Sequence, residues 1–152
     1  MTDQPQGHPA LTDSATRLPN ELQFWTVFRY LFEGADRGVP LTLVLIDVED
    51  AHDSVIPTAG HALWEATRAA DMLAYLGNGR FAIVLLACNL HGARVAGDRV
   101  ATILDGAVTA PFAVGIAAYH EDMKQPADLL EAAIQAQEKA RQQGGRLSLG
   151  FA

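Results

Sequence analysis

Asp71-Met72-Leu73-Ala74-Tyr75-Leu76-Gly77-Asn78-Gly79-Arg80-Phe81-Ala82-Ile83-Val84-Leu85-Leu86-Ala87 is the stretch that decides the fold. Two apolar runs, Asp71–Leu76 and Arg80–Ala87, flank Gly77-Asn78-Gly79. Asn-Gly between two such runs predicts a tight hairpin, because both residues tolerate the positive φ that a two-residue turn demands.

Upstream, Leu41-Thr42-Leu43-Val44-Leu45-Ile46 is almost continuously apolar, the pattern of a strand covered on both faces. Before it, Asn20 is a candidate N-cap for a helix in which Leu22, Trp25, Phe28, Tyr30, Leu31 and Phe32 share a face. Gly34 and Gly38 close that helix and Pro40 restarts the chain. Helices are also expected at Ala59–Ala70, His91–Leu104 and Ala127–Gln143, and strands at Phe112–Tyr119 and Leu147–Phe151. The order α β α β β α β α β indicates an α+β or mixed α/β sandwich, a central sheet covered by helices. Met1–Thr12, rich in Gln, Pro and Gly, reads as a flexible tail behind a natural start at Met1.

Composition excludes several functions. The 152 residues suit one domain. Eighteen Asp and Glu against eleven Lys and Arg leave a formal charge of −7, which argues against nucleic acid as a partner. A single cysteine, Cys88, allows no internal disulfide and fits a reducing compartment. No apolar run is long enough to span a bilayer and no signal-peptide core stands at the N-terminus, so a cytoplasmic location without membrane insertion is expected. His8, His52, His61, His91 and His120 are scattered without metal-ligand spacing. No serine or cysteine lies in a nucleophile elbow, and no phosphate-binding P-loop is visible.

Two groups of residues carry chemistry. Asp47, Glu49, Asp50 and Asp53 follow the buried strand, where α/β folds place ligand sites, and carboxylates are hard ligands suited to Mg²⁺. The same acids also read as a solvated loop. Arg68 and Asp71, three residues apart where a helix leads into a strand, can read guanine: Arg forks onto O6 and N7, and a carboxylate accepts from N1–H and N2–H₂. An exposed ion pair is the plainer reading of that spacing.

These fragments, taken in order, resemble the GGDEF (diguanylate cyclase) family from Asp13 to about Phe151. Asp13-Ser14-Ala15-Thr16-Arg17-Leu18-Pro19-Asn20 is similar to its opening D-x-L-T-G-L-P-N. Ile46-Asp47-Val48-Glu49 resembles its metal-binding L-D-L-D, and Gly60-His61 its G-H pair. Arg68-x-x-Asp71 precedes Gly77 at the spacing of the inhibitory-site R-x-x-D. Leu76-Gly77-Asn78-Gly79-Arg80-Phe81 stands in the place of L-G-G-D-E-F. Val114-Gly115-Ile116-Ala117 is similar to S-I-G-V-A, and Ala140-Arg141-Gln142-Gln143-Gly144 to A-K-x-x-G. The resemblance implies a mostly antiparallel sheet of about five strands and a single domain over residues 13–152.

It also implies an activity, the condensation of two GTP into cyclic di-GMP by a dimer with divalent metal at each half-site. The departures bear on that activity. The signature acids are replaced by Gly79 and Arg80, leaving Asp47 as a vestigial ligand position. Residues 51–56 lack the family's guanine-reading Asn, one extra residue precedes Gly60, Trp64-Glu65 stands for G-D, and Asn78 replaces a glycine. The expectation is therefore a degenerate domain with no catalytic residues, no metal and no cofactor, which is not an enzyme. By contrast Arg68 and Asp71 remain, and Arg99 sits where relatives supply another Arg to the same ligand. The leading expectation is a cyclic di-GMP receptor through Arg68, Asp71 and Arg99, in which ligand-induced or other homodimers can form. Two alternatives stand beside it. One is a protein-interaction module for another signalling protein, using the aromatic first helix (Phe24, Trp25, Phe28, Tyr30, Phe32). The other is a GTP-binding allosteric domain resting on Asp47 and Arg141.

Overall fold

The computed structural model describes residues 8–49, 54–144 and 147–152. Its elements are α1 (Glu21–Ala35), β1 (Leu41–Val48), α2 (Val55–Ala66), β2 (Met72–Gly77), β3 (Arg80–Leu86), α3 (Leu90–Ala107), β4 (Phe112–Ala118), α4 (Pro126–Arg141) and β5 (Leu147–Phe151). They form one five-stranded sheet in the order β2-β3-β1-β4-β5. The pairs β2/β3, β3/β1 and β1/β4 are antiparallel, and the edge strand β5 runs parallel to β4. This is the α+β sandwich expected from the element order.

The apolar run of β1 is buried on both faces, which is why it shows no alternation. Leu41, Leu43 and Leu45 pack with Phe24, Phe28 and Phe32 of α1 and with Leu129 and Ala133 of α4. Val44, Ile46 and Val48 face the other way, toward Leu63 of α2 and Val100 and Leu104 of α3. Phe24 and Phe28 are wholly buried and stacked at 5.0 Å between ring centroids. Burying each such side chain contributes about 1.5–3 kcal/mol. Asn20 caps α1 as anticipated, its side chain accepting from the Gln23 N–H at 3.1 Å.

The hairpin turn has Asn78 at φ 53 and Gly79 at φ 80, the conformation that Asn-Gly favours. On β4, Gly115 is required by close approach: a Cβ there would lie 2.1 Å from the Ala133 carbonyl oxygen of α4. The α4 helix therefore sits directly on the strand backbone.

Most element boundaries shift by one or two residues from the sequence reading, and three differences matter most. Among the residues expected in the tail, Pro9–Leu11 form a 3₁₀ turn, and the Leu11 carbonyl accepts from the Asn20 N–H at 2.9 Å. The ordered backbone thus starts before Asp13; residues 1–7 lie outside the described residues. Helix α2 spans Val55–Ala66 rather than Ala59–Ala70. Thr67 adopts an extended conformation and its hydroxyl donates back to the Leu63 carbonyl at 2.6 Å, ending the helix before the alanines. Arg68–Asp71 consequently form a turn, closed by the Asp71 N–H donating to the Arg68 carbonyl at 3.0 Å. Helix α3 extends beyond the expected His91–Leu104 at both ends. The acids Asp50 and Asp53, with Ala51 and His52, lie outside the described residues.

Candidate functional site

The singled-out residues gather in two places at opposite ends of the β2–β3 hairpin. At the entry to β2, Arg68 Nε lies 3.4 Å from Asp71 Oδ2. The two side chains differ sharply in environment: Arg68 is 59% exposed and Asp71 only 4%. Asp71 Oδ1 is buried and accepts no hydrogen bond from any protein group. Leaving such an oxygen without a donor ordinarily costs about 1–3 kcal/mol, so it marks a place of chemical interest. Asp71 lines a small pocket together with Thr67, Ala96 and Arg99. The turn and α3 thereby bring together all three residues singled out there, Arg68 and Asp71 as a pair and Arg99 across the pocket. Thr67 is an addition that the sequence reading missed; its only signal was adjacency to Arg68. Cys88 lies near enough to sense both charges. Burial pushes its thiol up, Arg68 draws it down and Asp71 pushes it up further.

The tip of the hairpin is built differently. In the β1–β3 register Asp47 faces Arg80 directly. Arg80 donates from Nε to Asp47 Oδ1 at 2.8 Å and from Nη2 to Oδ2 at 2.9 Å, a two-pronged bond. Arg141, in the last turn of α4, donates from Nη2 to the same Oδ2 at 3.0 Å. Arg141 also bonds Glu138 through Nη1, and its Nε lies 3.8 Å from Glu49. Burial alone would raise the Asp47 carboxyl, but the bonds and charges of Arg80 and then Arg141 outweigh it and hold the group below its ordinary value. The guanidinium of Arg80 is raised, first by its bonds to Asp47.

The turn itself is pinned. The Gly79 N–H donates to the Tyr75 hydroxyl at 3.0 Å, and the Gly79 carbonyl accepts from the Val48 N–H at 2.9 Å. Phe81 is fully buried, its ring 4.8 Å from that of Tyr75. Gly77, Asn78 and Arg80 border a cleft of about 380 Å³ shared with Glu21, Trp25, Asp47, Leu76 and Leu130. Among the described residues, no group of three or more His, Cys, Asp or Glu side chains is placed to hold a metal ion.

A strand-end aspartate, a pinned turn between β2 and β3, and an Arg-x-x-Asp turn are thus set on one five-stranded sheet of the α+β class. The family model for the diguanylate cyclase GGDEF domain matches residues 10–146, and the chain belongs to that family. The chain is 30% identical over 158 residues to diguanylate cyclase TpbB of Pseudomonas aeruginosa strain UCBPP-PA14. That similarity covers 90% of this chain and 36% of TpbB, so the chain spans about a third of the curated relative's length. Among solved structures, the coiled coil and GGDEF domain of DgcB from Caulobacter crescentus, in complex with c-di-GMP, superposes with a TM-score of 0.84. Identity there is 16%, with 94% of this chain and 86% of the other covered. Diguanylate cyclase SiaD of Pseudomonas aeruginosa, in complex with its activator SiaC, gives a TM-score of 0.85 at 21% identity, covering 94% and 62%. At these identities the two structures establish the fold alone. Among the described residues, no helix is long and apolar enough to cross a membrane.

Proposed function

We propose that this GGDEF domain is a receptor for cyclic di-GMP that does not synthesise it, with the ligand held at the Arg68–Asp71 turn. The observation that carries the reading is the buried Asp71 Oδ1 without a protein donor, beside an arginine whose guanidinium is still largely in water. A guanine offers N1–H and N2–H₂ to that oxygen while its O6 and N7 face the Arg68 fork. Arg99 lines the same pocket, and in this reading it meets a second guanine or a phosphate. The DgcB structure holds c-di-GMP on the same fold, which supports the choice of ligand. A receptor with two faces for one ligand can also be drawn into dimers by it.

The other half of the proposal, loss of synthesis, is supported by the hairpin tip. Phosphoryl transfer in this family needs divalent metal to neutralise the phosphates. Gly79 supplies no carboxylate, and both oxygens of Asp47 already accept from guanidinium groups. The same charges weigh against a GTP-binding allosteric domain. Arg80 and Arg141 face Asp47, Glu49 and Glu138, an arrangement that leaves no cationic surplus for a triphosphate.

A protein-interaction role is favoured by a separate observation. Tyr30 (78% exposed), Val39 and Leu86 expose apolar surface around one groove on the flank of α1. SiaD, with the same fold, is seen with a protein activator. We rank this second, because nothing on that groove specifies a ligand as Asp71 does.

Isothermal titration with cyclic di-GMP is the test. Micromolar binding that is lost in Arg68→Ala, together with no conversion of GTP by the same preparation, is the expected result. A silent titration, or an Arg68→Ala variant that binds equally, refutes the receptor; turnover of GTP refutes the loss of synthesis.

A further inference from the structure

The residues at the hairpin tip do not fit the divalent ion that the family implies, and the way they fail is informative. An ion at a strand-end aspartate needs free carboxylate oxygens, usually several, and hard cations of this type accept oxygen ligands only. Here each Asp47 oxygen is taken: Oδ1 by Arg80 at 2.8 Å, Oδ2 by Arg80 at 2.9 Å and by Arg141 at 3.0 Å. Asp47 and Arg80 are direct cross-strand neighbours, so the guanidinium needs no long reach to cover the carboxylate. The carboxylate is 20% exposed, with Arg80 at 33% and Arg141 at 27%. The charges nearly close among themselves, two guanidinium groups facing Asp47, Glu49 and Glu138.

We propose that Arg80 is a resident cation: its guanidinium occupies the place and carries the neutralising charge that an ion has in metal-dependent relatives, and with Arg141 it latches β1, β3 and α4 together through Asp47. The domain is then complete without divalent ions, and the metal site is latent, released by removing one guanidinium. A planar fork bonding both carboxylate oxygens also restricts orientation, which a spherical ion does not. The latch therefore fixes the hairpin in one register against β1. This inference concerns the end of the hairpin remote from the Arg68–Asp71 turn and stands whether or not cyclic di-GMP binds there.

Manganese provides the probe, because the paramagnetic resonance signal of the free ion reports binding directly. The intact chain is expected to leave that signal undiminished, and its melting temperature to be the same in magnesium, manganese or chelator. Arg80→Glu, which sets a second carboxylate opposite Asp47, is expected to bind manganese at least roughly tenfold more tightly than the unaltered chain and to melt higher in its presence. Adding Asp47→Asn to that variant is expected to abolish the gain. Should Arg80→Glu fail to fold, Arg80→Met keeps the length of the stem and frees Asp47. Its melting temperature is expected to fall and then recover in part with manganese. Manganese binding by the unaltered chain that Asp47→Asn removes, or two variants that both ignore the ion, overturns the proposal.

Discussion

Two arginine–aspartate pairs, Arg80 with Asp47 and Arg68 with Asp71, differ mainly in how their donors are spent. At the hairpin tip, Arg80 gives two bonds to Asp47, Arg141 adds a third, and the acid has no oxygen to spare. At the Arg68–Asp71 turn there is one long contact of 3.4 Å, an arginine mostly in solvent and a buried oxygen with no protein donor. The residue types are the same. The first pair is finished by the protein and works as structure, whereas the second is left open and can be finished by a ligand. Geometry, and the number of unsatisfied atoms it leaves, separates a closed ion pair from an open one.

Four measurements press on that contrast. The largest effect is expected at the open pair. Asp71→Ala or Arg68→Ala should weaken cyclic di-GMP binding by roughly 100-fold in calorimetry, as loss of a charge-assisted, desolvated contact does, with little change in melting temperature. At the closed pair the effects should be reversed. Asp47→Ala strands two partly buried guanidinium groups and should lower stability by about 1–3 kcal/mol, the partial exposure keeping it under the range for fully buried pairs. Chemical denaturation would register this as a lower midpoint, while affinity for the dinucleotide stays within a factor of about two.

Acid provides a third and smaller test. The folded Asp47 carboxyl lies below its ordinary value of 3.8, so the folded state binds this proton less readily than the unfolded chain. Its stabilising contribution is therefore full above that ordinary value and is lost as pH falls through the lower folded one. Denaturation midpoints measured from pH 6 downward should drop at the acid end, and the drop should be shallower in Asp47→Asn. The smallest effect is expected from Arg99→Ala, which borders the pocket while the ion pair of Asp71 is made with Arg68. A loss of affinity of about three- to tenfold is expected, together with reduced ligand-induced dimerisation by light scattering.

Much of the fold was legible because its signals are local. Asn78-Gly79 announced the hairpin, the unbroken run Leu41–Ile46 announced a strand buried on both faces, and Asn20 announced the start of α1. The end of α2 was misjudged for a physical reason: alanines favour helix, but Thr67 turns out of it and bonds back to Leu63. The expected tail was too long because Leu11 meets Asn20 through backbone bonds that composition does not reveal. The sites were legible only in part. Arg68, Asp71 and Arg99 were named from the sequence, and the structure groups them, but the orphaned Asp71 oxygen depends on burial that no spacing encodes. Asp47 was singled out as a vestigial ligand position, and Arg80 only as the replacement of a signature acid. Their bond joins residues 33 apart, and Arg141 reaches Asp47 across 94. Contacts that distant in the chain arise from the sheet register and the seat of α4, and only the folded molecule displays them.

The seat of α4 has a consequence beyond packing. Because the helix rests on the bare backbone of Gly115, a single methyl group there would lift it and carry Arg141 away from Asp47. A residue with no chemistry of its own thus sets the tension of a charge cluster on a neighbouring strand.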